Sequence, residues 1–327
     1  MSGLMQRATT DRQPAIRSSA LVRRFGDNEA VAGVDLEVQS GEIYGFLGPN
    51  GAGKSTMVRM LTTLLKPTSG TAHVAGYDVA ADADQVRLRI GVALQEAALD
   101  GKQTGRELLD LQGRLYGLSR TERLRRVKEL LELVSIGDAI DRRINTYSGG
   151  MKRRLDLAAS LVHQPEVLFL DEPTTGLDPT SRAAVWTEVR YLNQQLGMTI
   201  FLTTQYLEEA DALADRVGII AQGRLVAEGT PAALKRSIGS DVIVAKVAAA
   251  HAARVAAVVE RLAEVDRVEI AGDEVVMSVD RGAAAISPVA VALAEAGVTV
   301  EGLTLRTPTL DDVFLHITGG RLQEDAA

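Results

Sequence analysis

The chain of 327 residues is 46% hydrophobic and 24% charged, with aromatics at 4%; this describes a soluble globular protein of about two domains and excludes a fibrous or disordered one. A formal net charge of -7 argues against broad nucleic-acid binding, which shows as a basic domain or stripe, so no nucleic-acid partner is expected. The absence of cysteine excludes disulfides and thiolate metal sites, and His73, His163, His251 and His316 lack the spacing of metal ligands.

The N-terminal MSGLMQRATTDRQP lacks the apolar core of a signal peptide and is expected to be a flexible arm over 1–14. No stretch approaches the ~18 uncharged apolar residues of a spanning helix, so a membrane process would need a second chain to provide the passage. Residues 15 to 47 read as strands: the alternating IRSSALVRRF, then VAGVDLEVQSGEIYGFL, broken at a Ser-Gly turn. From Lys54 to Leu65, Met57, Val58, Met60, Leu61, Leu64 and Leu65 recur at helical spacing, and KPTSG closes the segment.

The stretch 104–135 is helical and charged, with capping-box spacing at Thr104/Glu107 and Ser119/Glu122, and reads as a helical insertion in an α/β domain. Next come a glycine-marked helix (148–162), the apolar strand VLFLD, a helix at about 180–196, and the strand TIFLTT. An acidic helical segment and the hairpin RVGIIAQGRLVAEG, turning at Gln-Gly, follow. Strands alternating with helices predict a largely parallel sheet. Thr230 and Pro231 resemble an N-cap and first helical position. From about residue 240, DVIVAKV, VDRVEI, EVVMSV and VTVEGLTL read as strands and 249–263 and 286–296 as helices; the order βαββαβ predicts a small ferredoxin-like domain.

Three motifs carry chemistry. GPNGAGKST runs through Gly48, Pro49, Asn50, Gly51, Ala52, Gly53, Lys54, Ser55 and Thr56 between a strand and a helix. Its glycines let backbone N–H groups turn toward phosphate oxygens at a positive helix end, with Lys54 reaching the β/γ-phosphates and Ser55 ligating Mg²⁺. VLFLDEP ends in two carboxylates; its strand is expected beside that of the glycine loop, placing Asp171 at the metal and Glu172 where it orients or deprotonates a water. YSGGMKRR sets Ser148, Gly149 and Gly150 ahead of a helix, either as a second phosphate-seeking site serving the nucleotide of another subunit or as a serine N-cap with a flexible glycine pair.

In this order, with a helical insertion between them, the three motifs resemble the ATP-binding subunit of ABC transporters over about residues 16–235. The resemblance implies ATP and Mg²⁺ as cofactors, Phe25 stacking on adenine where the family more often has tyrosine, and Gln95 touching Mg²⁺ and relaying nucleotide state to a membrane subunit. It also implies that Asp178, in TGLDP, lies in a loop crossing a dimer interface. Tyr147 and Met151 depart from the outer positions of the usual LSGGQ, and Met151 removes the last polar contact of that motif. Gln205 stands where the family most often has histidine. An amide donates to a γ-phosphate oxygen but transfers no proton near neutral pH, so Glu172 carries the proton and Gln205 positions.

TTQYLEEAD and the C-terminal TPTLDDVFLHITG are similar to the drug-resistance branch, the ATPases resembling the daunorubicin exporter's. The implied protein is an ATP hydrolase energising efflux of a hydrophobic drug or antibiotic, acting as a homodimer on an integral membrane permease, peripheral at the cytoplasmic face. Lipid or polymer export, or a soluble non-transport ABC ATPase, are the alternatives. The expected layout is a cassette over 15–238 with its helical subdomain at about 96–162, an accessory domain over 239–318 that packs or stabilises a dimer, and a tail over 319–327.

Overall fold

The computed structural model describes residues 13–94, 99–134, 136–279 and 281–318. Gln95, the tail 319–327 and nearly all of the arm 1–14 lie outside the described residues. The chain divides into two units, one ending at Pro231 and the other beginning at Ala232.

In the first unit the elements run β1 (Ile16–Phe25), β2 (Asn28–Val38), β3 (Ile43–Leu47), α1 (Lys54–Leu61), β4 (Ser69–Val74), β5 (Tyr77–Asp78), α2 (Ala83–Arg87) and β6 (Ile90–Ala93). They continue with α3 (Gly105–Leu115), α4 (Arg120–Val134), α5 (Gly149–Ser160), β7 (Val167–Asp171), α6 (Pro179–Leu196), β8 (Thr199–Thr204), α7 (Leu207–Leu213), β9 (Arg216–Ala221) and β10 (Arg224–Gly229). Both predicted capping boxes form: Thr104 and Glu107 exchange bonds at the start of α3, and Ser119 and Glu122 do so ahead of α4. The helix expected over 54–65 stops at Leu61, because Thr62 caps it and Thr63 turns left-handed at φ 65°.

The main sheet has the order β10-β9-β3-β8-β7-β6, parallel except for the terminal β9–β10 hairpin. One sequence expectation is corrected here. VLFLD does not lie beside the glycine-loop strand, because β8 is inserted between β3 and β7. All three strands are buried throughout, and runs buried on both faces carry no alternation that would rank them within a parallel sheet. A separate antiparallel sheet, β2-β1-β4-β5, holds the N-terminal strands.

Alternation along the central strands divides the core. Leu168, Ile200 and Leu202 face a cluster with Leu109, Leu130 and Leu155 of the helical segment. Phe46, Phe169 and Phe201 face the other way, toward Ile16 and Val34 of the antiparallel sheet and Met57 and Leu61 of α1. Phe201 is the hub, with ring centroids of Tyr44, Phe46 and Phe169 between 5.5 and 5.7 Å away, the spacing at which aromatic pairs attract.

The second unit comprises α8 (Pro231–Ile238) from Ala232 onward, β11 (Asp241–Val247), α9 (Ala252–Val259), β12 (Val265–Ala271), β13 (Glu274–Val279), α10 (Gly282–Glu295), β14 (Val300–Arg306) and α11 (Leu310–Thr318). Its sheet has the order β12-β13-β11-β14, antiparallel throughout, which is the ferredoxin-like arrangement of βαββαβ. The helix expected to begin at 286 begins at Gly282, whose N–H is held by Asp241 Oδ2 at 2.8 Å. A tertiary cap of that kind leaves no periodic trace in Gly-Ala-Ala-Ala. Among the described residues, no helix is long and apolar enough to cross a membrane.

Candidate active site

The buried strand β3 delivers the glycine loop to the C-terminal edge of the sheet, where parallel α/β folds collect their ligands. The loop threads closely past neighbouring backbone. A Cβ on Gly48 would fall 2.5 Å from the Ile220 carbonyl oxygen, and one on Gly53 would fall 2.4 Å from that of Ala30. Gly53 also holds φ 110° as the N-cap of α1, a conformation open to glycine and rare for other residues. The loop is therefore specified by contacts as well as by chain freedom.

Lys54 opens α1 and is 4% exposed. Its ammonium donates to the carbonyls of Gly48 (2.7 Å) and Pro49 (3.3 Å) and pairs with Glu172 Oε1 at 3.2 Å. Burial pushes its pKa below the usual value, and the Glu172 and Asp171 carboxylates oppose that push. Glu172 adopts a left-handed φ of 48°, a conformation that costs a non-glycine residue roughly 1–3 kcal/mol unless its surroundings hold it. Its second carboxylate oxygen accepts from Thr175 Oγ1 at 3.3 Å.

Asp171, at the end of β7, accepts from the Thr203 hydroxyl at 2.5 Å and from Ser55 Oγ at 3.4 Å, both on Oδ1. Although β8 separates β7 from β3, the serine and the aspartate still converge across its end. A serine hydroxyl beside a carboxylate is a hard-oxygen donor pair of the kind that suits Mg²⁺.

A cleft of about 540 Å³ lies over these groups, walled by Phe25, Asn28, the glycine loop, Thr56, Glu172 and Gln205, within the usual size range of ligand pockets. Phe25 is 47% exposed with the Arg23 guanidinium 4.5 Å above its ring, so an aromatic face stands at the mouth. A wider groove of about 760 Å³ between α4, α5 and α6 is mostly apolar and includes none of these groups; we place the candidate site in the smaller, polar cleft.

The remaining sequence candidates lie elsewhere. Ser148 caps α5, its hydroxyl accepting from Met151 N at 3.3 Å, and neither it nor Gly149 or Gly150 lines the cleft. Asp178 caps α6 through Thr180 N and Ser181 N, both at 3.0 Å, and the Ser181 hydroxyl holds its carboxyl below the usual range. Each acts as a helix cap, and neither lines the glycine-loop cleft.

Two site residues escaped the sequence reading. Thr203 is legible only as one of the two threonines that end TIFLTT. Arg153 lies in the basic run over 152–154, and its guanidinium is largely buried and donates to the carbonyls of Leu94 (2.6 Å), Pro173 (3.1 Å) and Asp171 (3.2 Å). It ties α5 to the backbone on both sides of Glu172.

Comparison with known proteins places the chain in a family. Residues 31–175 match the family model described as ABC transporter, and residues 229–318 match that of the C-terminal domain of DrrA1-3-like ATP-binding proteins. The chain is 50% identical over 307 residues to the daunorubicin resistance ATP-binding protein DrrA3 of Streptomyces coeruleorubidus, covering 93% of this chain and 96% of that one. It is 47% identical over 325 residues to the daunorubicin/doxorubicin resistance ATP-binding protein DrrA of Streptomyces peucetius, covering 96% of each. Among solved structures it matches, with a TM-score of 0.60 and 25% identity, a dimeric post-hydrolysis state of an ATP-binding cassette bound to ADP and Pi, covering 66% of this chain and 98% of that one.

Proposed function

The chain belongs to the ATP-binding subunits of ABC transporters, and from that membership we propose that it hydrolyses Mg·ATP to drive export of a hydrophobic drug or antibiotic through a separate membrane permease. The convergence of Lys54, Ser55, Glu172 and Gln205 on one cleft, with Asp171 bonded to Ser55 behind it, carries the catalytic reading. Likeness to drug-resistance ATP-binding proteins along almost the whole chain supports the cargo.

The glycine-loop amides and the start of α1 receive the triphosphate, and Phe25 offers its ring to the adenine. Lys54 then exchanges its contact with Glu172 for the β/γ-phosphates, which leaves the Glu172 carboxylate to accept the proton of the attacking water. Ser55 and Asp171, with Gln95, would hold Mg²⁺, which would neutralise charge at the phosphates. Gln205 donates an N–H to a γ-phosphate oxygen and stabilises charge without moving a proton. Ser148, Gly149 and Gly150 of a second copy close over the nucleotide, and Asp178 lines the joint between the copies. ATP touched by both copies binds the closed dimer better than the open one, so it shifts the population toward closure; hydrolysis releases it. The chain works at the cytoplasmic face of the membrane as a peripheral subunit, and the accessory domain over 239–318 stabilises the dimer.

The test is drug accumulation in cells that express the chain with its permease, comparing wild type with Glu172→Gln. The wild type lowers accumulation of an anthracycline. The variant, expected to lose about 10²- to 10⁴-fold in hydrolysis while still dimerising with ATP, does not. Equal accumulation in both for every hydrophobic antibiotic tried would withdraw the drug-export reading.

A further inference from the structure

The reading above gives adjacent residues different tasks: Asp171 faces the metal and Glu172 the attacking water. Neighbours in an extended strand point to opposite faces, so something must turn the chain between them and hold both poses. We propose that Thr203, a residue to which no role has yet been given, is the positioning residue for both carboxylates.

Thr203 lies one residue from the end of β8, between β3, which leads into the glycine loop, and β7, which ends in Asp171, and is fully buried. Its hydroxyl donates to Asp171 Oδ1 at 2.5 Å, and the hydroxyl oxygen of Thr203 accepts from Glu172 N at 3.1 Å. Its own carbonyl accepts from that N–H as well, also at 3.1 Å. One residue therefore binds the Asp171 side chain and the Glu172 backbone, and the Glu172 bonds fall where φ turns to 48°. That turn sends the Glu172 side chain toward Lys54 and the cleft. With Oδ1 shared between Thr203 and Ser55, Asp171 is held in one orientation before any ligand arrives. A valine would fill the same space on the same strand but lack both hydroxyl bonds, so shape alone cannot replace the threonine.

The test compares the full-length chain with Thr203→Val, Thr203→Ala and Thr203→Ser. Two readouts are steady-state hydrolysis and the Mg²⁺ concentration at which ATP produces half of its thermal stabilisation. For Thr203→Val and Thr203→Ala, kcat is expected to fall about 10- to 100-fold and the Mg²⁺ midpoint to rise by a similar factor, the usual effect of losing a group that orients a metal ligand. Stabilisation by ATP without Mg²⁺ stays within about twofold, and Thr203→Ser recovers most of both losses because it restores the hydroxyl. Wild-type kcat and Mg²⁺ midpoint in Thr203→Val would overturn the proposal. So would a serine variant as impaired as alanine, since methyl packing would then be what matters, and this comparison stands even if valine fails to fold. Glu172→Gln measured in parallel separates the two claims: if it too keeps full hydrolysis, the reading of Glu172 fails, whereas an inactive Glu172→Gln beside a normal Thr203→Val sinks the positioning role alone.

Discussion

Asp156, on α5 one turn beyond Arg153, is a carboxylate in the wrong surroundings, and replacing it with asparagine should stabilise the first unit in a pH-dependent way. Its side chain is 15% exposed, and its Oδ2 lies 3.6 Å from an Arg153 nitrogen without making a hydrogen bond. The guanidinium is turned to the carbonyls of Leu94, Asp171 and Pro173. Burial therefore outweighs the nearby charge and pushes the carboxyl from the usual 3.8 up to about 6. At ~1.4 kcal/mol per pH unit the ceiling on this penalty is ~3 kcal/mol; allowing for the remaining solvent, we expect ~1–2 kcal/mol.

The sign follows from linkage. Between pH 3.8 and about 6 the native state holds a proton that the unfolded chain has released, so wild-type stability falls as pH rises through that window. Asp156→Asn carries no such charge. Its midpoint should match the wild type near pH 4 and exceed it by roughly 2–8 °C above pH 7, at the ~2–4 °C per kcal/mol usual for a unit of this size. Differential scanning calorimetry of both proteins from pH 4 to 8 reads the gap directly. A constant gap, or a less stable variant at pH 8, would refute the argument and make the Arg153–Asp156 attraction the dominant force.

Two further outcomes concern nucleotide. Gly53→Ala must accommodate a Cβ 2.4 Å from the Ala30 carbonyl oxygen at φ 110°; with strain of roughly 1–3 kcal/mol, affinity for a fluorescent ATP analogue should fall at least about tenfold, and unchanged binding would show that the loop can shift away from β2. Gln205→Ala should keep KM for ATP and lose on the order of 10²-fold in kcat, the scale for removing one preorganised donor. Wild-type turnover there would take the amide out of the mechanism.

Much of this protein is legible without coordinates. The βαββαβ order of the second unit, both capping boxes and the strand–glycine loop–helix sequence all rest on interactions between residues three or four apart or on strand alternation, and local chemistry writes these into the sequence. So does the nature of the cleft, because a glycine loop ending in Lys-Ser and a buried strand ending in Asp-Glu each announce their chemistry locally. The order of β3, β8 and β7 is different. It depends on how three fully buried strands share a sheet, and nothing along any one of them encodes its neighbour. The same blindness hid Thr203, whose two partners lie 32 and 31 residues away, and Arg153, which looks like surface charge until Leu94, Asp171 and Pro173 close around it. Only packing could reveal these, because a hydroxyl or guanidinium acquires its role from the groups that the fold brings within hydrogen-bond reach.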